Sequence, residues 1–196
     1  RVQFTSLKSN FTAQYAGVTF KIDSIYLANV RNNATVMGEE DTEADYFRGG
    51  PVEFAVIQGL IDPEANVNAS FAKTYETPLV LSSESGELDA TALGFDKYIN
   101  ANQPEYAEED GYLTRLLITG TLMDGDRELG KKYFHIPLKL VDDTGNVASN
   151  KFFKISATIT GEGSPNPDEI LENACINFSI EVAPWNVVEQ TEEDTN

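Results

Sequence analysis

The chain holds few of the residue types that carry chemistry or staple a fold. Among 196 residues there is one cysteine, one histidine, one tryptophan and two methionines, and only 14 basic residues face 32 acidic ones. A single thiol, Cys175, excludes an internal disulfide, so a core must hold the fold. Cys175 has no second cysteine at CxxC spacing and no helix start beside it, which removes the usual routes to a reactive thiolate. The net charge of −18 repels phosphate backbones and anionic lipid, which argues against nucleic acid and membrane surfaces as partners. It reads first as a device for solubility. No run of about 18 apolar residues is present, so no helical membrane span is expected. The chain opens on Arg1-Val-Gln-Phe4 without a charged-then-apolar leader, so the expectation is a removed leader or a piece of a longer protein.

The scarce residues also fail to assemble a catalytic set. His135 falls on the polar side of an alternating segment with no serine or cysteine partner in view, and is expected to be a solvated side chain rather than a base or ligand. Asp124-Gly-Asp126 and Asp142-Asp-Thr-Gly-Asn146 hold oxygen donors but lack the acid at the twelfth position of an EF-hand loop, so both read as turns. Gly161-Glu-Gly163 leads toward a strand rather than a helix N-terminus and is not a phosphate cradle. Carboxylates are too numerous to single out a dyad. Neither an enzyme nor a cofactor or metal site is expected. The Asn-x-Ser/Thr sequons at Asn10, Asn33, Asn68 and Asn177 carry little weight in a chain this rich in those residues.

What is present is period-two alternation. In Lys151–Gly161 the apolar positions are Phe153, Ile155, Ala157 and Ile159, with Lys154, Ser156, Thr158 and Thr160 between them. Two glycines and two prolines in Gly161–Pro167 break the pattern. It resumes with Ile176, Phe178, Ile180 and Val182 on one face and Cys175, Asn177, Ser179 and Glu181 on the other, until Pro184. Burying the four apolar side chains is worth about 6–12 kcal/mol as an upper bound, enough to hold this strand in its own sheet. Trp185, Val187 and Val188 follow; they form a smaller apolar set that either plugs the open end of the domain or pairs outside it.

Earlier in the chain, Val2 and Phe4 open a strand. Val18, Phe20 and Ile22 start another, and Ile25 and Leu27 continue it out of phase, which predicts a bulge or sharp bend near Asp23-Ser24. Arg31–Gly50 reads as a polar surface loop, and Val52–Ile57 as a strand after Pro51. Two short helices are predicted. One starts at Asp62-Pro-Glu64 and is lined by Val67, Phe71 and Tyr75; the other carries Leu88, Ala92, Phe95 and Ile99, with Gly94 costing it about 1 kcal/mol. Tyr112–Met123, apolar on both sides at Leu116-Leu-Ile118, reads as a central or covered strand. Tyr133–Leu140, with Phe134, Ile136, Leu138 and Leu140 inward, should lie at an edge or carry a bulge because of Pro137. About seven strands with turn-rich links give an all-β, antiparallel β-sandwich with long loops and one or two short helices, in one domain over 1–196.

Phe153-Lys-Ile-Ser-Ala-Thr-Ile-Thr-Gly-Glu-Gly-Ser-Pro-Asn-Pro167 followed by Ile176-Asn-Phe-Ser-Ile-Glu-Val-Ala-Pro-Trp-Asn-Val187 resembles the C-terminal end of the Bacteroidales fimbrillins. These are the major fimbrial subunits and their relatives, pilins polymerised by protease-triggered strand exchange. Leu116–Leu122 with Tyr133-Phe-His-Ile-Pro137, Ser149-Asn150, and Arg1–Phe4 with Tyr15 and Phe20–Val30 resemble further blocks of that family, while 31–111 matches poorly. The resemblance implies a transthyretin-like sandwich, the C-terminal domain of a two-domain subunit. It implies a structural role in a fimbrium on the bacterial outer membrane surface, reached through a lipoprotein precursor, with neighbouring subunits as partners. By analogy the receiving groove lies in the other domain, so this piece donates through 184–196, with Trp185, Val187 and Val188 as the donor segment. A surface protein without disulfides fits that setting. The alternative is a tip or accessory adhesin that grips a glycan or host protein through 31–111. The acidic stretch Glu189–Asn196 departs from a purely apolar donor.

Overall fold

A computed structural model of the chain describes residues 1–11, 15–32, 46–50, 60–62, 64–100, 102, 112–138, 151–168 and 176–184. The strands are β1 (Val2–Ser9), β2 (Val18–Ala28), β3 (Val30–Arg31), β4 (Tyr46–Arg48), β5 (Asn66–Val67), β6 (Ala72–Ser82), β7 (Glu87–Asp89), β8 (Asp96–Lys97), β9 (Arg115–Asp124), β10 (Arg127–Pro137), β11 (Lys151–Ile159) and β12 (Ile176–Pro184). One sheet runs β12-β11-β1-β7 with β8 also on β1; a second runs β10-β9-β2-β6; a third, small one is β3-β4-β5. Antiparallel pairing dominates. The exceptions among the described strands are β4 with β5 and β1 with β11, the latter in parallel register from Val2↔Phe153 to Ser9↔Ile159.

The first two sheets face each other across one core. Val2, Phe4, Phe153 and Ile155 come from one side; Phe20, Ile25, Leu116 and Phe134 come from the other, all fully buried. Phe20 and Phe134 meet edge to face with centroids 5.2 Å apart, the arrangement that ring quadrupoles favour. The alternation of β11 is seated as its sequence demands, with Phe153, Ile155, Ala157 and Ile159 buried. The phase change in β2 is also where expected. The register with both β6 and β9 shifts between Ile22 and Ser24, so Ile22 and Ile25 both point inward. Gly120 explains the close approach there: a Cβ on it would sit 2.1 Å from the Lys21 carbonyl oxygen.

The differences lie in the middle of the chain. No helix follows Asp62: its Oδ1 accepts the Glu64 N–H at 2.9 Å, as a cap would. The chain then forms β5, a three-residue 3-10 turn at Ala69–Phe71, and β6. Local capping chemistry there makes a turn, because strand pairing with β2 takes the residues that follow. The second predicted helix shrinks to α1 (Ala90–Leu93), capped by Asp89 Oδ1 on the Ala92 N–H at 2.8 Å. Gly94 is its C-cap at φ 54° rather than a cost to its interior, and Leu93 and Phe95 are the buried residues. Within the expected loop 31–50, Tyr46–Arg48 is a strand, and Arg31, Tyr46 and Arg48 are buried. The hairpin of β9 and β10 is joined by the turn at Asp124-Gly-Asp126, and β10 is an edge strand ending at Pro137. The expected strand Val52–Ile57, the turn Asp142–Asn146, Leu140 and Ser149-Asn150 lie outside the described residues.

His135 corrects the reading of a solvated side chain: it is 8% exposed. The outward row His135–Leu117–Tyr26 of the second sheet is covered, because Leu60–Asp62 lies over it and Ile61 joins Tyr26, Ala28 and Leu117 in a second apolar cluster. Asn29, in the left-handed region at φ 55°, holds this cover. Its Nδ2 donates to the carbonyls of Leu60 (2.7 Å) and Leu113 (2.9 Å), and its Oδ1 accepts the Asp62 N–H at 3.0 Å. Its own carbonyl accepts from Thr114 Oγ1 at 2.8 Å.

Two outcomes are expected. Asn29→Ala strands several buried polar groups and forces an alanine into a left-handed conformation, and should cost about 2–4 kcal/mol in urea unfolding, with Asn29→Gly relieving only the backbone part. Burial, reinforced by the nearby Arg115 guanidinium and opposed by Asp168, lowers the His135 pKa from 6.5 to about 4. The unfolded chain therefore binds the extra proton first. Stability should be complete above pH 6.5 and fall as the pH drops from 6.5 to 4, by about 3 kcal/mol, with His135→Leu flattening that slope in urea midpoints measured against pH.

Candidate assembly site at the C-terminal edge strand

β12 pairs antiparallel with β11 in unbroken register, Lys151↔Pro184 through Ile159↔Ile176, and lies at the outer edge of the first sheet. Ile176, Ile180 and Val182 are half-buried against the core, as their alternation requires. Phe178 is not held so well: facing Ala157 at the sandwich rim, it is 43% exposed. The burial that retains the strand is thus about half the value read from the sequence, roughly 3–6 kcal/mol. Lys154 pairs with Glu181 at 3.1 Å, and Ser156, Thr158, Asn177 and Ser179 line an open depression of about 310 Å³ together with Ser6, Lys8, Ala157 and Phe178.

The link before β12 is anchored to the opposite sheet. Ser164 exchanges backbone hydrogen bonds with Tyr133 of β10, its N–H donating at 2.9 Å and its carbonyl accepting at 2.8 Å. Gly163, at φ 74°, sets its backbone against the Phe134 ring, where a Cβ would come within 2.7 Å of it. Lys132 Nζ stands 3.6 Å from a Glu162 carboxylate oxygen. Asn166 and Ser164 stitch the following turn, and the fully buried Asp168 accepts the Ile61 N–H at 2.9 Å. The proline- and glycine-rich link is therefore a strap that leaves the first sheet at β11 and is fastened to the second sheet and its cover. The sequence signalled its irregularity; only the paired sheets show where it is fastened.

Trp185, Val187 and Val188, and also Cys175, lie outside the described residues. Of the predicted site, the structure places Ile176, Phe178, Ile180 and Val182 together on one edge strand. Among the described residues no group of three or more His, Cys, Asp or Glu is placed to hold a metal, and no helix is long and apolar enough to cross a membrane.

No family model and no curated protein matches this sequence. Solved structures do match in fold. A fimbrilin from Porphyromonas gingivalis superposes with a TM-score of 0.59 at 20% identity, over 96% of this chain and 58% of its own. A candidate cell adhesion protein from Parabacteroides distasonis superposes with a TM-score of 0.62 at 15% identity, over 97% of this chain and 52% of its own. Another from Bacteroides eggerthii gives 0.55 at 13%, over 94% and 55%. The chain thus spans little more than half the length of the structures it resembles. Over nearly all of its described length, its fold is that of this fimbrilin and these candidate adhesion proteins.

Proposed function

We propose that this chain is a structural domain of a bacterial surface fimbrium, joined to neighbouring subunits through its C-terminal segment. The observation that carries the reading is the position of β12. It is an edge strand, so the segment after Pro184 continues from the rim of the sheet and can reach a neighbour without opening the core. The fold shared with a fimbrilin supports the same reading. In this reading the role is one of scaffold, and the one histidine is buried beneath the second sheet's cover. In this reading Trp185, Val187 and Val188 supply the apolar side chains that a receiving groove takes up by strand exchange, while Ile176, Ile180 and Val182 keep β12 at home.

A second reading, adhesion to a glycan or host protein through 31–111, is favoured by the likeness to the candidate adhesion proteins. A specific hit on a glycan array that is lost on substitution within 31–111 would select it.

Deleting Trp185–Asn196 from the full-length protein should leave the thermal unfolding transition of the domain in place and abolish polymers seen by electron microscopy. Polymers of undiminished length from the truncated protein would overturn strand exchange through this segment.

A further inference from the structure

Every exposed sheet edge invites pairing, and proteins blunt edges with short strands, bulges, prolines and charges. Three edges of this sandwich are blunted. The rim of β10 is occupied by the Ser164 bridge at Tyr133. β6 loses register with β2 between Thr74 and Leu79, and that interval holds the exposed Glu76 together with Pro78, which has no N–H to offer. On the far side of β1, β7 and β8 are only three and two residues long. β12 has few of these devices. It is nine residues long, unbroken in register, free of lysine, with its proline at the last position, and no described strand pairs with its outer side. Its one charge, Glu181, is matched by Lys154 on its own sheet, and Phe178 stands 43% exposed beside the open edge.

We propose that β12 is a lateral docking edge for a second copy of this chain, the two β12 strands pairing antiparallel about a two-fold axis. The strand is self-complementary in that arrangement. With Ile180 on the axis, all nine residues find a partner: Phe178 of each copy covers Val182 of the other, and Glu181 faces Ser179, so no like charges meet. The five-stranded sheets of the two copies become continuous and the half-exposed phenylalanines are covered. This contact is isologous and closes at two, unlike an open chain of strand exchange, and it does not depend on the segment after Pro184. Because each copy carries −18, association strengthens as salt screens the repulsion, the reverse of an interface held by ion pairs.

Sedimentation equilibrium of the chain over a concentration series tests this. A monomer–dimer equilibrium is expected, tighter at high salt. Ser179→Lys, opposite Glu181 of the other copy, should tighten it about threefold, and Ser179→Asp should weaken it about threefold, both at an exposed position that leaves the melting temperature unchanged. Phe178→Lys should abolish the dimer, and deletion of Trp185–Asn196 should leave it intact. A monomer at every concentration and salt, a dimer indifferent to both Ser179 substitutions, or a dimer lost with the tail would each overturn the proposal. Polymer formation by the full-length protein is read separately and does not bear on it.

Discussion

The parallel pairing of β1 with β11 is the constraint on which the rest of the molecule leans. It joins residues about 150 positions apart in the sequence and places the first strand at the centre of the first sheet, between β11 and the short strands β7 and β8. Parallel neighbours need covered faces, and here Val2, Phe4, Leu7, Phe153, Ile155 and Ile159 supply a continuous apolar inner face. The backbone closes the pair at both ends. The Phe153 N–H donates to the Arg1 carbonyl at 2.8 Å, and the Asn10 N–H to the Ile159 carbonyl at 2.8 Å. Without this pair, β12 would hang on a single strand and the sandwich would lose one of its layers.

The second sheet solves a different problem. Its inner face shares the main core, but its outer face carries Arg115, Leu117, Thr119 and His135, a mixture that cannot be left half-wet at no cost. A cover built from Leu60–Asp62 and the end of the strap at Asp168 shields it, and Asn29 and Asp168 supply the hydrogen bonds that fix the cover. The result is a buried neighbourhood around His135 whose cover is tethered by hydrogen bonds at Asn29 and Asp168 and packed by Ile61 against Tyr26, Ala28 and Leu117. In a chain with no disulfide, such tethers do part of the work of cross-links.

The strap links this architecture to function. The polypeptide leaves β11, crosses the rim, adds a bridge to β10, is pinned under the cover at Asp168, and returns as β12. The edge strand is thereby fixed before the chain continues past Pro184, so whatever that segment does begins from a stable platform. The net charge of −18 opposes the close approach of two such platforms, so any pairing between them has to outweigh that repulsion.

The sequence alone determined the things that local period and turn chemistry control: the inward faces of β11 and β12, the phase change at Ile22–Ser24, the covered centre at Leu116–Ile118, the edge at Pro137 and the break at Gly161–Pro167. Each follows from which side chains can share one face of a pleat. It misread the start at Asp62, the span around Gly94, the strand at Tyr46–Arg48 and the burial of His135, because there the deciding partner is distant. β2 claims β6 from an intended helix, and a loop more than seventy residues away in sequence covers the histidine. Parallel or antiparallel pairing of β1, the fastening points of the strap and which edge has no described partner strand were decided only in three dimensions. They depend on which strands become neighbours, and alternation within a strand carries no information about that.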